Sequence, residues 1–292
     1  MIKFIFQYVS KAVPGPVSEK LNLDTDLDGC DCQTSTEDTH ICLKNNCSCL
    51  KNYGCSFNTR GFIVGIDPYS STMKPIYECN RFCKCPSDCI NRVVQKGITL
   101  DLQIFRTKSK GSGLRTMDGI SKGQFVCEYA GQIISHSVAK FRAESQQPSD
   151  NNYILALREH LDNGKTLCTY VDPRTIGNAG RFINHSCEPN LFMVPVRIDT
   201  NIPRLALFAL RDIVAGEELC YDYSGQVQKT QSSSKATSRE EFTDEDVETI
   251  KLDNMIRSDN KKMGKAKCKI CTCGSKQCRG YLPLDEALYE SN

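Results

Sequence analysis

The stretch Arg181-Phe-Ile-Asn-His-Ser-Cys-Glu-Pro-Asn190 decides how the remaining chain is read, because it concentrates three kinds of chemistry in ten residues. Asn184 and His185 offer hydrogen-bonding groups to a polar cofactor, Cys187 offers a thiolate to a metal, and Pro189 stops a helix from running on. Taken alone, the run also describes a buried histidine and a small apolar cysteine at a tight turn. Its surroundings favour the chemical reading. Glu218-Leu-Cys-Tyr-Asp-Tyr223 follows downstream, Lys110-Gly-Ser-Gly-Leu-Arg115 precedes it, and clusters of cysteines stand on either side.

A chain of 292 residues with 39% hydrophobic content can bury a substantial core in one or two domains. A formal net charge of +2 gives no indication of direct DNA binding by bulk electrostatics, which needs a clustered basic face. No run is long enough to span a bilayer, so no membrane partner is expected. Met1-Ile-Lys-Phe-Ile-Phe6 is apolar but too short for the core of a secretory signal, and polar Gln7 and Ser10 follow. The expected compartment is therefore reducing, and there 18 cysteines point to zinc rather than disulfides.

Ten of those cysteines lie between residues 30 and 89: Cys30, Cys32, Cys42, Cys47, Cys49, Cys55, Cys79, Cys83, Cys85 and Cys89. Three Cys-x-Cys pairs occur, and Cys-x3-Cys-x-Cys-x3-Cys closes the segment. Pairs spaced by one residue suit ions that share ligands. Tetrahedral zinc takes four, so nine sulfurs serve three ions when three bridge and six are terminal. Cys55 falls outside the repeated spacings and is read as the spare. The alternative is a disulfide-rich secreted module. A closed thiolate shell leaves no place for substrate, so these zinc ions are expected to be structural.

From Leu100 the pattern changes to short alternating segments. Leu100, Leu102 and Ile104 share one face, and Ser121-Lys-Gly123 turns the chain into a strand over 124–129. A short helix is predicted over 136–145. Strand pairs are predicted over 153–157 with 166–171, around Asp162-Asn-Gly164, and over 192–199 with 204–209. The expectation is a mainly β domain of small sheets with short helices. Residues 226–266 are dominated by Gln, Ser, Thr, Lys, Glu and Asp, a composition too poor in apolar surface to offset its ordering entropy, and are read as a disordered insert. Cys268, Cys271, Cys273 and Cys278 follow, and a local four-cysteine zinc site is the simplest use of them.

In their order along the chain these motifs resemble the SET-domain protein lysine methyltransferases, from about Phe6 to about Leu284. Asn91-Arg-Val-Val-Gln-Lys-Gly97, Phe125-Val-Cys-Glu-Tyr-Ala-Gly131 and Pro195-Val-Arg-Ile-Asp199 narrow the resemblance to one branch. It implies a SET fold with knot-like C-terminal threading, and S-adenosyl-L-methionine as cofactor. A pre-SET module would carry three zinc ions on Cys30, Cys32, Cys42, Cys47, Cys49, Cys79, Cys83, Cys85 and Cys89. A post-SET module would hold one more on Cys271, Cys273 and Cys278, with Cys187 as the distant fourth ligand and Cys268 left spare.

The resemblance implies that Lys110, Gly111, Ser112 and Gly113 contact the methionine part of the cofactor, although many relatives carry an aromatic residue at the place of Ser112. Asn184 and His185 would anchor the adenosine half. Arg181 is read either as a cofactor contact or as part of a structural ion pair. Tyr223 matches the family's catalytic tyrosine and also touches the cofactor. Tyr153 is either a channel wall touching cofactor and lysine or an ordinary strand aromatic. Tyr221 stands at the position that limits how many methyl groups are added, which predicts mono- and dimethylation.

The expected layout is a lead-in over 1–29, the pre-SET module over 30–96, the SET domain over 97–225, the insert over 226–266, the post-SET module over 267–284 and a tail over 285–292. The implied partner is a histone H3 tail or nucleosome in the nucleus, on the chromosome. The pre-SET class points to lysine 9 of H3, and the branch to lysine 36. A non-catalytic chromatin-binding module, or an enzyme acting on a non-histone lysine, are the alternatives. The oligomeric state is not legible.

Overall fold

The structure is a computed structural model that describes residues 6–16, 25–32, 42, 47–70, 74–147, 150–161, 164–225, 269–285 and 288–289. The segment read as an insert, together with Cys268, lies outside the described residues.

Short strands dominate, as the alternating patterns require. The largest sheet runs in the order Asn184–His185, Cys220–Tyr221, Leu191–Arg197, Arg204–Ala209, Phe125–Glu128, with Ile76–Tyr77 pairing beside Leu191–Arg197. A second sheet has the order Val13–Pro14, Gln132–Ile134, Thr166–Asp172, Leu155–His160. A third pairs Leu102–Arg106 with Ser112–Thr116. The predicted helix forms over His136–Glu144, and the Ser135 side chain caps it by accepting from the Val138 N–H.

Apolar residues on facing strands make the core. Leu114, Val126, Cys127, Leu191, Leu205, Leu207, Ala209 and Leu219 are wholly buried together, each large side chain contributing about 1.5–3 kcal/mol. Leu100 and Leu102 pack against this cluster, whereas Ile104, on the same face, is 47% exposed.

Cys220–Tyr221 lies between two strands that precede it, Asn184–His185 and Leu191–Arg197, and is parallel to both. The chain thus returns after the Arg204–Ala209 hairpin and inserts into a gap left earlier. This insertion carries Tyr221 and Tyr223 alongside Asn184 and His185, and periodicity could not foresee it.

Two regions hold more structure than their composition suggested. In the lead-in, Gln7–Tyr8 pairs with Ile176–Gly177, and Val13–Pro14 extends the second sheet. At the far end, Leu288 is fully buried against Ile134, Ala139, Ala143, Ile154 and Tyr170, and Asp285 pairs with Arg158 at 2.6 Å. The cysteine module joins the largest sheet at Glu78, whose backbone N–H donates to the Arg197 carbonyl at 2.9 Å. Its buried carboxylate accepts N–H groups from Val93 at 2.9 Å and Val94 at 2.6 Å, closing the short helical turn Val94–Lys96.

Candidate active site

The turn before Ser112–Thr116 brings Lys110, Gly111, Ser112 and Gly113 against the strand Asn184–His185. Gly111 adopts φ +77°, and a Cβ there would meet open space. Gly113 is confined: a Cβ would come within 2.8 Å of Thr107 Cγ2 and 3.0 Å of Glu218 Oε1. The Asn184 amide donates to the Ser112 carbonyl at 3.2 Å and to Glu218 Oε1 at 2.9 Å. Lys110 Nζ meets the other Glu218 oxygen at 2.7 Å. Glu218 therefore clamps the glycine turn to Asn184. The sequence reading quoted this residue without a role, although a carboxylate five residues before Tyr223 was visible.

His185 is buried. Its Nδ1 accepts the Tyr223 backbone N–H at 3.2 Å, and its Nε2 lies 3.2 Å from Cys187 Sγ. Burial holds its pKa down to about 4, Asp222 opposing and Arg279 and Lys110 reinforcing the shift. The ring is neutral at pH 7, so its proton sits on Nε2 and points at the Cys187 sulfur.

The Tyr223 hydroxyl donates to the Ile183 carbonyl at 2.9 Å. Tyr221 is buried, with its ring 4.9 Å from that of Tyr223 and 6.1 Å from that of Tyr129. Tyr129 in turn donates to the Tyr153 carbonyl at 2.7 Å. Desolvation pushes the buried phenols of Tyr129 and Tyr221 well above the usual tyrosine range, and Tyr223 is raised as well although 37% of its surface stays exposed. They are therefore neutral donors, not bases. Tyr129 belongs to this group although sequence reading passed it over as a strand residue.

The Arg181 guanidinium lies 4.6 Å from the Tyr153 ring, 4.7 Å from Phe6 and 4.9 Å from Phe182, and it donates to the Pro173 carbonyl at 3.0 Å. Its position fixes Tyr153 by cation–π contact.

Cys187, Cys271, Cys273 and Cys278 bring four sulfurs within 4.8 Å of one another. Cys187 and Cys271 Sγ are 4.0 Å apart, near the edge of about 3.8 Å expected for a tetrahedron with zinc–sulfur bonds of about 2.3 Å. Burial raises Cys271 and Cys278; it also acts on Cys273, but the Cys187 backbone N–H and the Ser275 hydroxyl bring that thiol down to about 6, which favours the thiolate at Cys273. The soft donor set fits zinc. Arg279, next to Cys278, sends its backbone N–H to Cys187 Sγ at 3.4 Å and its guanidinium to both oxygens of Asp222, at 2.8 and 2.7 Å. Sequence reading gave no signal for that pairing.

In the first module, Cys30, Cys32, Cys42, Cys47, Cys49, Cys79, Cys83, Cys85 and Cys89 form one buried cluster. Three overlapping quartets lie within metal-sharing distance: Cys30, Cys79, Cys83 and Cys85; Cys30, Cys42, Cys47 and Cys79; Cys42, Cys79, Cys85 and Cys89. Cys49 Sγ is 3.6 Å from Cys83 Sγ. Contacts from neighbouring thiols, first Cys49 on Cys83 and first Cys42 on Cys85, pull these groups down to about 6 and about 3, while burial raises Cys30 and the neighbouring thiols, first Cys42, raise Cys79. Cys55 is exposed and outside the cluster, its thiol donating to the Phe57 carbonyl at 3.2 Å.

Residues 2–92 match the Pre-SET motif family and residues 111–224 the SET domain family. The histone-lysine N-methyltransferase SETMAR of Bos taurus is 44% identical over 97% of this chain and 83% of its own length. The crystal structure of the methyltransferase domain of human SETMAR superposes with a TM-score of 0.71 at 40% identity, covering 96% of this chain and 90% of that one. KRYPTONITE, solved with mCHH DNA, an H3(1-15) peptide and SAH, superposes with a TM-score of 0.63 at 26% identity, over 95% of this chain and 48% of that one.

Proposed function

The chain belongs to the SET-domain histone-lysine N-methyltransferase family, and we propose that it moves a methyl group from S-adenosyl-L-methionine to a lysine in the tail of histone H3. The convergence of the glycine turn, Asn184, His185 and Tyr223 supports this reading, because the chain return sets Tyr221 and Tyr223 beside Asn184 and His185, the residues that would anchor the cofactor.

The cofactor supplies an activated methyl on a sulfonium, so the protein needs no metal at the reacting carbon. It must hold two partners in line, keep the amine uncharged and exclude water. Lys110 to Gly113, Asn184 and His185 are the residues that would hold the cofactor. The open side of Gly111 fits close backbone approach to a ligand, whereas Gly113 is required by packing against Thr107, Phe105 and Glu218. Lys110 serves there through its backbone, since its ammonium is paired with Glu218.

Tyr223, Tyr221 and Tyr153 would line the lysine site. Raised phenol pKa values keep Tyr221 and Tyr223 neutral; with its O–H donated to the Ile183 carbonyl, Tyr223 offers an oxygen lone pair to an amine N–H, a preorganised dipole able to orient a neutral amine. A dry aromatic setting also disfavours the ammonium form of lysine, whose ordinary pKa is about 10.4. The buried Tyr221 hydroxyl would crowd the amine, which supports mono- and dimethylation.

The Cys187, Cys271, Cys273 and Cys278 quartet would carry one structural zinc that holds the C-terminal segment over this site, and the nine-cysteine cluster three more. KRYPTONITE's H3(1-15) peptide supports an H3 tail as substrate, in the nucleus on chromatin. Lysine 9 and lysine 36 of H3 are the two candidate targets. A mass-spectrometric site map after incubation with S-adenosyl-L-methionine and nucleosomes tests the proposal. Methylation of an H3 tail lysine is expected; cofactor binding without any methylated lysine would reduce the protein to a binding module.

A further inference from the structure

The C-terminal segment touches the tyrosine strand through a side chain beside the sulfur quartet. Asp222 sits between Tyr221 and Tyr223, and its carboxylate is buried, with the side chain 3% exposed. A carboxylate so placed needs a cation. His185 is nearest within its own sheet, at 3.7 Å, but its Nδ1 faces Asp222 as a lone pair already accepting the Tyr223 N–H. Among the described residues the cation paired with Asp222 is Arg279, whose Nη2 meets both carboxylate oxygens, at 2.8 and 2.7 Å. Ser224 completes the shell, donating to Oδ1 through its N–H at 2.9 Å and its hydroxyl at 2.8 Å.

Resting on the methyltransferase reading above, we infer that Arg279 is a positioning residue, which sets the Tyr221–Tyr223 segment against the cofactor strand by fastening Asp222 to the C-terminal tail. This fastening lies beside the sulfur quartet: the guanidinium reaches 57 residues back to Asp222 and also approaches the Cys187 thiol, while the backbone N–H of the same residue donates to Cys187 Sγ. One residue thus joins the two ends of the site. If the pair opens, the backbone between the two tyrosines loses its outer anchor, and displacement of a reacting group by about 1 Å costs on the order of a hundredfold in rate.

The test compares the zinc-replete wild type with Arg279→Met, Arg279→Lys, Asp222→Asn and the Arg279→Met/Asp222→Asn double variant. Zinc content, melting temperature, and kcat and KM on an H3-tail peptide are measured for each. Arg279→Met is expected to lower kcat by about tenfold to a hundredfold, with zinc content unchanged and KM moving far less. Arg279→Lys, which keeps the charge, should recover part of kcat. In the double variant no buried charge is left unpaired, so the melting temperature should recover relative to Arg279→Met while kcat stays low.

A kcat that rises with the melting temperature in the double variant would make the pair merely structural and overturn the inference. So would an Arg279→Met kcat within twofold of wild type, and so would loss of zinc in Arg279→Met, because the residue would then act through the metal site. An inactive wild type would instead refute the methyltransferase reading itself.

Discussion

Replacing Glu218 tests how the cofactor turn is held. One carboxylate oxygen accepts the Asn184 amide at 2.9 Å and the other meets the Lys110 ammonium at 2.7 Å. The ion pair is partly buried, with side chains 16% and 24% exposed, so its value lies between that of a surface pair and a charge-assisted buried bond, about 1 kcal/mol. The amide bond contributes about 1 kcal/mol more. Glu218→Gln keeps an acceptor for Asn184 and turns an amide N–H toward Lys110, so it loses the first contribution; Glu218→Ala loses both. If this clamp preorganises the turn, dissociation constants for S-adenosyl-L-methionine should rise about fivefold for Glu218→Gln and about thirtyfold for Glu218→Ala. Calorimetric titration reads both. Asn184→Ala combined with Glu218→Ala should be less damaging than the product of the single effects, because the residues act on one contact. Wild-type affinity in Glu218→Ala would refute the clamp.

Three further outcomes are expected. Cys187→Ser should lower zinc content by about one ion, since four-coordinate zinc loses a ligand, and should weaken cofactor binding, whereas Cys55→Ser should leave metal content unchanged; atomic absorption with calorimetry checks both. Tyr221→Phe should shift the product distribution toward the trimethylated state, read by mass spectrometry over a time course, and robust trimethylation by the unaltered protein would contradict the assigned role of the hydroxyl. In pH–rate profiles activity should climb as the substrate lysine loses its proton. No falling limb from Tyr221 or Tyr223 should appear below about pH 10, since burial moves both phenols above that ordinary value; a decline between pH 8 and 10 in a protein that stays folded would place a titrating phenol in the reaction.

The sequence made local elements legible where periodicity and punctuation agreed. The helix at His136–Glu144 follows from its boundary residues Ser135 and Pro148, and the hairpin Leu191–Arg197 with Arg204–Ala209 from strand patterns broken at Asn201-Ile-Pro203. The cysteine spacings likewise foreshadowed a shared cluster, because thiolates one residue apart have few other uses in a reducing setting. Long-range fastenings were silent. Nothing local tells that Val13–Pro14 joins a sheet with Gln132–Ile134, that Leu288 fills a hole beside the helix, or that Arg279 reaches Asp222. The Arg279 contact needs the return of Cys220–Tyr221 into the largest sheet, and all three join residues distant in sequence, which is a property of topology. Arg181 shows the same limit from another side: its charge suggested a ligand or an ion pair, and the structure surrounds it with aromatic rings.

The most direct measurement is the intact mass of recombinant histone H3 after incubation with S-adenosyl-L-methionine and either the unaltered protein or Tyr223→Phe. One tail lysine should gain one or two methyl groups with the unaltered protein and far fewer with the variant. An unmodified histone beside a protein that binds the cofactor, or equal methylation by the variant, would contradict the assignment of Tyr223 and its strand as the seat of transfer.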